Sequence, residues 1–409
     1  MKTPNPDQPD TPSWQRRGAP AVVFTAALLA LAMVLQAGGC GGGGGGERAT
    51  IPGAETSTTT GISANASDEV KALYDAIQDA GADWVPADNP ISKMDDAARK
   101  QLNGRISELE YLDEYSMAAR RAPRISARQA SALPSSLDWR SKDGSNWVSS
   151  IRNQGSCGSC VAFASTAVAE ALAKIAAGDP NLSTDFSEQH LFACGDGSSC
   201  SGGWYLYKAA EFYRDTGVSD EACLPYQAVD NICSNKCADW SSRVTQIDSY
   251  TNVADDAASI KAALQNGPVL AAIDVYSDFY HYSSGVYEHV SGTYQGGHAI
   301  AIVGYNDTGG YWIVKNSWGS GWGDSGYVNI KYGQVDIEHW VIDMNKTPTA
   351  GVTASADPVE VNKNTAVTLT CTTLSTVTTL EGRCDSSDSW QGIASGNTLT
   401  CTYSTAGDK

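Results

Sequence analysis

The chain has 409 residues and a formal net charge of −18, and 42% of its residues are hydrophobic. The negative charge argues against nucleic acid as a partner, because phosphate backbones are bound by basic surfaces. The apolar content is sufficient to build folded cores.

The first 40 residues are typical of an export signal. An arginine pair, Arg16-Arg17, precedes a mostly apolar run over residues 20–35. This run is shorter than the roughly 20 residues that span a bilayer, which favours a signal segment over a membrane helix. Cys40 follows small residues and resembles the cysteine of a bacterial lipoprotein signal. Residues 1–40 are therefore predicted to direct export, with Cys40 lipidated as a membrane tether; plain secretion is the alternative.

Glycine, threonine and serine dominate residues 41–65, a composition typical of a flexible tether. Two helical patterns follow, the first from Asp68 to Ala80 and the second from Ala97 to Met117. A regulatory segment and a plain helical linker both fit these patterns.

A cysteine then stands where a loop enters a helix. From Cys160 onward, apolar residues recur at helical spacing until Gly178. A thiol in the first turn of a helix lies at the positive end of the helix dipole, which favours the nucleophilic thiolate. Cys157 and Cys160 also form a C-x-x-C pattern, so a redox pair and half of a zinc site are alternatives at this point.

Partners for a nucleophilic cysteine occur further along the chain. A buried strand runs from His298 to Tyr305, and a second strand returns after a turn and leads into Asn316. Such a hairpin makes His298 and Asn316 neighbours, so the asparagine can orient the imidazole through a hydrogen bond. Nucleophile, base and orienting group together predict nucleophilic catalysis, whereas a redox pair requires neither partner.

These blocks resemble the signatures of the papain family of cysteine peptidases: residues 154–163, Gly297-His298-Ala299 and residues 316–327. Residues 133–140 resemble the family's mature N-terminus, and residues 200–203 resemble its substrate-groove glycine loop. His298 lies 138 residues after Cys160, within the range of about 130 to 150 for papain-type enzymes. The resemblance covers residues 133–345 and implies an α+β fold with a helical left lobe and an antiparallel, β-barrel-like right lobe.

The resemblance also implies the role of each site residue. Cys160 would attack the scissile carbonyl, His298 would transfer the proton, and Asn316 would orient His298. Gln154 and the Cys160 backbone N–H would stabilise the oxyanion. The remaining site residues that the resemblance implies are the groove residues Gly202 and Gly203, and Trp318 as a cover over the His298–Asn316 bond. The function expected is a cysteine endopeptidase with an acyl-enzyme thioester, without cofactor or metal.

Two departures and two alternatives qualify this prediction. Val161 stands where the family usually has tryptophan, and Gly297 stands where some members carry aspartate. No inserted loop resembles the histidine-bearing loop of carboxydipeptidase members, which favours an endopeptidase. The alternatives are a catalytically weak papain-fold binding protein and a thiol-disulfide oxidoreductase that uses Cys157 and Cys160.

An exported domain with six further cysteines is expected to contain disulfides. The resemblance implies the pairs Cys157–Cys200 and Cys194–Cys233, and it leaves Cys223 to pair with Cys237.

Residues 66–132 are interpreted as a prosegment that inhibits the enzyme until export. Trp84, Asn89, Leu102 and Gly104 resemble the short propeptide of cathepsin B-like members. We expect protein or peptide substrates and a monomeric enzyme.

Two residues compete as the base of the pocket for the substrate's second residue. Trp340 would give an apolar pocket, whereas Asp343 would admit a basic side chain. We expect an apolar preference.

Residues 346–409 alternate threonine, serine and valine and resemble an immunoglobulin-like or PKD-like β-sandwich. About 60 residues is short of the roughly 100 residues of such a domain. We expect Cys371 to pair with Cys401, which leaves Cys384 without a partner in the tail.

Overall fold

A computed structural model of the protein describes residues 61–106 and 124–348, together with short strands between residues 360 and 408. The predicted leader, Cys40, the tether up to residue 60 and residues 107–123 lie outside the described residues.

The described α-helices all lie before residue 264, and six consecutive strands follow between residues 269 and 345. The helices are α1 (Asp68–Ala80), α2 (Asp96–Gln101), α3 (Ala127–Ser131), α4 (Cys160–Ala177), α5 (Glu188–Cys194), α6 (Leu206–Asp215) and α7 (Ala257–Ala263). The strands up to residue 345 are β1 (Trp84–Pro86), β2 (Ser136–Asp138), β3 (Ser249–Asn252), β4 (Val269–Tyr276), β5 (Tyr282–Tyr287), β6 (Tyr294–Asn306), β7 (Tyr311–Lys315), β8 (Tyr327–Lys331) and β9 (Val341–Asn345).

The strands form one sheet in the order β1-β5-β8-β7-β6-β4-β9-β3, with β2 paired to β6. All of these pairs are antiparallel except β5 with β8. One apolar core lies within the sheet-rich region, and a second joins α4 and α6 to residues of β4 and β6. The predicted α+β class is therefore confirmed. Helices α4, α5 and α6 pack together in the second core, whereas α1 and α7 pack in the core of the sheet-rich region.

Helix α4 is the centre of the helical lobe. It begins at Cys160 and ends before Gly178, whose left-handed backbone (φ 64°) closes the last turn. Within the described residues it is the one helix that is long and apolar enough to cross a membrane, but 83% of it is buried inside the protein. We therefore interpret it as a core helix.

The N-terminal segment agrees with the sequence in its first helix and differs in its second. Helix α1 has the predicted bounds, with Val70, Leu73 and Ile77 buried and Ser67 capping its N-terminus. The predicted helix from Ala97 to Met117 is wrong over residues 102–106, because α2 ends at Gln101; residues 107–117 lie outside the described residues. The next residues instead run as an extended chain into the groove beside α4, where tertiary contacts outweigh helix propensity.

The β6–β7 hairpin has a register shift that the sequence does not reveal. Asn306 pairs with Tyr311 at the turn, but a bulge between Ile302 and Gly304 sets Ala301 opposite Lys315. Asn316 follows the end of β7 and is not directly opposite His298, because the turn is centred between residues 308 and 309 and not at residue 307.

Six short strands in the C-terminal region form three antiparallel pairs. They are β10 (Glu360–Val361) with β15 (Gly407–Asp408), β11 (Ala366–Thr370) with β14 (Thr398–Thr402), and β12 (Leu380–Gly382) with β13 (Gln391–Ile393). The β-sandwich stays a prediction, and Cys371 and Cys384 lie outside the described residues.

Candidate active site

The Cys160 thiol lies at the junction of the two lobes. Its residue opens α4 and is fully buried, and the backbone N–H of Ala299 in β6 donates to its sulfur at 3.4 Å. The backbone of Gly104, from the N-terminal segment, also hydrogen-bonds to this sulfur. Cys160 is the free cysteine among the described residues, so its thiol is available for chemistry once it is uncovered.

His298 and Asn316 meet as the sequence predicts. The Nε2 atom of His298 lies 2.8 Å from Oδ1 of Asn316, and both side chains are buried. The backbone N–H of Ser317 donates to the same Oδ1 at 2.7 Å, which fixes the orientation of the amide. Trp318 covers the pair, with its ring centroid 4.7 Å from that of the imidazole. The asparagine can therefore hold one imidazole tautomer and one ring orientation.

The second nitrogen of His298 does not reach the thiol. Its Nδ1 atom lies 3.1 Å from the carbonyl oxygen of Leu102, in the N-terminal segment. In the described part of the chain, no hydrogen bond joins the His298 ring to Cys160. The imidazole is thus engaged by the segment that covers it.

Gln154 points to the same carbonyl. Its Nε2 atom donates to the Leu102 oxygen at 3.1 Å and to the Cys157 oxygen at 2.8 Å. Its Oε1 atom accepts a hydrogen bond from the Ser317 hydroxyl at 2.7 Å, so rotation of the amide would break these hydrogen bonds. A peptide carbonyl therefore occupies the position at which Gln154 can donate.

The glycine loop forms the opposite wall of the groove. A Cβ atom on Gly203 would stand 1.9 Å from the Gly104 oxygen, so only glycine permits this approach. The Trp204 backbone donates to the Gly104 oxygen at 2.7 Å and accepts from the Ile106 N–H at 3.0 Å. Gly202, by contrast, donates to Ser199 at 2.9 Å and contacts its own loop.

Burial changes the protonation that the sequence predicts. The helix N-terminus favours a thiolate, but burial raises the pKa of Cys160 to about 11, although hydrogen bonds from Ala299 and Gly104 oppose the shift. Burial likewise lowers the pKa of His298 to about 4, against the effect of the Asn316 and Leu102 oxygens. The covered site therefore holds a neutral thiol and a neutral imidazole instead of the expected ion pair.

A sequence profile described as "Papain family cysteine protease" matches residues 133–347. The chain belongs to the papain family. It is a papain-like cysteine peptidase, a hydrolase.

Individual papain-family relatives agree with this. The chain is 37% identical over 220 residues to Cathepsin B-like CP2 from Giardia intestinalis, which covers 51% of this chain and 72% of that protein. It is 40% identical over 205 residues to ananain from Ananas comosus, and this match covers 49% of this chain and 56% of that protein. The recombinant stem bromelain precursor has a similar structure, with a TM-score of 0.56 and 27% identity, over 68% of this chain and 88% of that chain. Because that structure is a precursor, the zymogen prediction is also supported.

Three disulfides stabilise the loops around the papain-family site. They are Cys157–Cys200, Cys194–Cys233 and Cys223–Cys237, the same pairs that the resemblance implies. The first bridge joins the cysteine loop to the glycine loop, so the glycine loop is fixed relative to the loop that leads into Cys160. It also leaves Cys157 unable to form a C-x-x-C bridge with Cys160.

Sequence reasoning missed three positioning residues of this papain-family site. Ser317 orients both Gln154 and Asn316, and its position within the Asn-Ser-Trp block is a signal that was available. Tyr226 donates its hydroxyl to the Gln154 carbonyl oxygen at 2.7 Å, and no local pattern marks it. Trp204 acts through its backbone, which side-chain patterns cannot reveal.

Proposed function

We propose that the protein is an exported cysteine endopeptidase in which Cys160, His298 and Asn316 form the catalytic site and Gln154 supplies an oxyanion donor. The observation that carries the proposal is the Leu102 carbonyl, which accepts from Gln154 and faces His298 at 3.1 Å each. A peptide carbonyl thus already lies among the groups that peptide hydrolysis requires.

The proposed reaction begins when the Cys160 thiolate attacks the scissile carbonyl carbon and a C–S bond forms. The carbonyl electron pair moves to oxygen, and the Gln154 amide and the Cys160 backbone N–H stabilise that charge. When the oxyanion collapses, the C–N bond breaks and protonated His298 gives its proton to the leaving amine. Water then loses a proton to His298 and attacks the thioester, which releases the acid and regenerates the thiolate and the imidazolium.

The prosegment is proposed to inhibit the enzyme because it crosses the groove in reverse. Leu102 lies beside His298, on the side that a leaving amine would take, whereas Arg105 lies beside Trp204 on the acyl side. In a substrate the acyl part precedes the scissile bond, so the prosegment runs in the opposite direction. Its peptide bonds are consequently misaligned for attack.

The same segment suppresses the nucleophile. The raised pKa of Cys160 and the lowered pKa of His298 both have burial as their largest cause. Removal of the prosegment admits water, which lowers the free energy of the thiolate and of the imidazolium. We therefore propose that maturation creates the ion pair.

Export is the remaining part of the proposal. Three disulfides are typical of a compartment outside the reducing cytosol. The apolar run before residue 36 supports a signal segment, with Cys40 as a lipid tether. Protein substrates outside the cell and a monomeric enzyme fit this location.

The test compares the wild-type chain with Cys160→Ala and His298→Ala, and uses His289→Ala as a matched control. His289 binds Asp278 and stacks on Tyr276. We expect the first two variants to lose at least about 10³-fold in cleavage of a fluorogenic dipeptide amide, whereas the control stays near wild type. Mass spectrometry follows loss of the prosegment.

Folded wild-type protein that cleaves no peptide after trimming by another protease, and whose Cys160 resists alkylation, would contradict the proposal. Insulin reduction that requires both Cys157 and Cys160 would instead favour the oxidoreductase.

A further inference from the structure

Strand β5 becomes an edge of the sheet when the prosegment leaves. It pairs with β8 on one side and, within the described residues, with β1 of the prosegment on the other. Its six residues, Tyr282–Tyr287, include no charged side chain and no proline. Natural edge strands often carry such residues, which discourage pairing with a further chain. Maturation therefore uncovers an edge that is open to another extended segment.

The backbone of β5 permits close approach of a second chain. Gly285 lies opposite Trp84 and has a φ of 90°, and a Cβ atom on it would stand 2.4 Å from the Asp83 oxygen. The Val286 N–H donates to the same oxygen at 2.6 Å. The three atoms nearest to that Cβ all belong to the prosegment, so Gly285 makes room for a bound chain and not for a part of the catalytic domain.

A seat for an aromatic ring lies beside this edge and is formed by Tyr282 and Tyr287. The Trp84 ring fills this aromatic seat, with its centroid 5.1 Å from the ring of Tyr287 and 6.2 Å from that of Tyr282. The indole N–H of Trp84 is buried and has no hydrogen-bond partner among the described residues. Because an unpaired buried donor costs free energy, phenylalanine should fit the seat at least as well as tryptophan.

One residue, Tyr280, joins the catalytic groove to this edge. Its hydroxyl accepts from the side chain of Asn103 at 2.7 Å, and its carbonyl oxygen accepts from the side chain of Asn89 at 2.8 Å. Asn103 follows Leu102, which lies beside His298 on the side that a leaving amine would take. A substrate chain that leaves the groove on this side therefore meets β5 next.

The substrate would run along β5 in the direction opposite to β1. Strand β1 is antiparallel to β5, and the prosegment then crosses the groove in reverse. A substrate with the productive direction would consequently lie parallel to β5, as β8 does on the other side. Parallel pairing also satisfies the main-chain groups of an edge strand.

We propose that, in the processed enzyme, β5 and the aromatic seat bind an extended, aromatic-bearing segment of the protein substrate on the carboxyl side of the scissile bond. Main-chain pairing with the edge supplies affinity, and the seat supplies selectivity for an aromatic side chain. The inference rests on the proposed function and deepens it by naming a substrate class, namely extended polypeptide segments in preference to short peptides.

The experiment uses the processed enzyme, purified away from the prosegment, and two internally quenched peptides whose dye pair flanks the same scissile bond. Each peptide has a carboxyl-side extension of 18 residues, as many as separate Trp84 from Leu102. One extension carries phenylalanine at several alternate positions, and serine replaces each phenylalanine in the other. We expect kcat/KM to be about tenfold higher for the phenylalanine peptide, the effect of burying one aromatic side chain less the cost of ordering the extension. Tryptophan in place of phenylalanine should not increase this ratio.

The variant Gly285→Ala should reduce the ratio to about two or less, because its methyl group occupies the space of the approaching chain. Gly333→Ala is the matched control. Gly333 also has a positive φ, 72°, so alanine meets the same backbone strain, but nothing lies within 4 Å of its added Cβ. This control should keep the wild-type ratio, and because each ratio is taken within one protein, a general loss of activity cancels.

A second measurement needs no variant. A synthetic peptide of residues 82–88, which contains β1 but not the groove strand, should compete for the edge at millimolar concentration and bring the wild-type ratio toward one.

Each other outcome has one meaning. If the wild type cleaves both extended peptides equally, or if Gly333→Ala lowers the ratio as much as Gly285→Ala, the edge does not bind substrate but the peptidase proposal stands. If the processed enzyme is a dimer that Gly285→Ala dissociates, or if it retains the prosegment fragment, that partner covers β5 and the inference is wrong. If neither peptide is cleaved and Cys160 resists alkylation, the proposed function itself fails.

Discussion

The prosegment has two parts that bind the catalytic domain by different means. Its N-terminal part, residues 66–94, buries apolar side chains such as Leu73, Ile77 and Trp84 in the core of the sheet-rich lobe. Its second part, residues 102–106, crosses the groove through hydrogen bonds of its backbone with Gly297 and Trp204. The first part buries the apolar area that can supply affinity, and the second part supplies the proposed block of the groove.

This difference separates docking from inhibition. An apolar anchor tolerates substitutions that keep its volume, whereas a backbone strand in a narrow groove tolerates none that add a side chain. Gly104 shows the second case, because a Cβ atom there would stand 2.0 Å from the Gly158 oxygen. Docking and inhibition should therefore be separable by mutation.

The largest effect is expected from Gly104→Val, which should force the strand out of the groove while the anchor stays docked. Burial is the main cause that raises the pKa of Cys160 to about 11, so uncovering lowers that pKa and increases the thiolate fraction at pH 7. We expect iodoacetamide to alkylate the variant about 100-fold faster than the wild type, as measured on molecules whose mass shows the prosegment still attached.

In the unprocessed wild type, alkylation should accelerate only as the pH approaches 11. Lys100→Ala, an exposed change in α2, serves as the control and should behave as the wild type. Equal and slow alkylation of all three proteins would show that the groove strand does not protect the thiol.

A smaller effect on the thiol is expected from Trp84→Ala. The ring is 2% exposed and lies 5.1 Å from the ring of Tyr287, so its loss should weaken docking by about 3–5 kcal/mol. Hydrogen exchange should accelerate throughout α1, whereas alkylation of Cys160 should rise less than in Gly104→Val, because the strand still fits the groove.

Tyr74→Ala is the matched control, since this half-buried ring lies outside the core cluster of the anchor. Equal loss of protection in both variants would mean that Trp84 has no special part in docking.

The anchor was more predictable than the block for a physical reason. Helix α1 has the bounds that its apolar spacing predicts, since a side-chain stripe facing a core leaves a periodic signal. Residues 102–106, which pair with the catalytic domain through an isolated bridge at Arg105, were predicted as helix, because backbone pairing with distant residues leaves no periodic signal in the sequence. The groove determines the conformation of these residues.

The candidate site follows the same rule. Cys160, His298, Asn316 and Gln154 were predictable because each is a side chain with its own chemistry, within ordered blocks. The bulge near Gly304 and the contribution of the Trp204 backbone could not be predicted from the sequence, because tertiary packing sets both the strand register and the position of main-chain donors. The protonation state of Cys160 also differs from the thiolate that the sequence predicts, because the effect of burial on the pKa outweighs that of the helix dipole.

The smallest effect is expected from Glu69→Gln at the edge of the anchor. Glu69 Oε1 lies 3.2 Å from Nε2 of the buried His281, but the carboxylate is 64% exposed, so water and salt weaken the attraction. Such a pair contributes at most about 1 kcal/mol, and we expect hydrogen exchange in α1 to accelerate less than about fivefold at low salt.

The control is Asp68→Asn, which removes a neighbouring acid from the same first turn and loses the same interaction with the helix dipole, but whose partner Lys71 belongs to the prosegment itself. The difference between the two variants isolates the contact with His281, and it should vanish at high salt. A difference that persists there would mean that Glu69 acts through packing, and that this edge of the prosegment is held, like its centre, by buried area instead of charge.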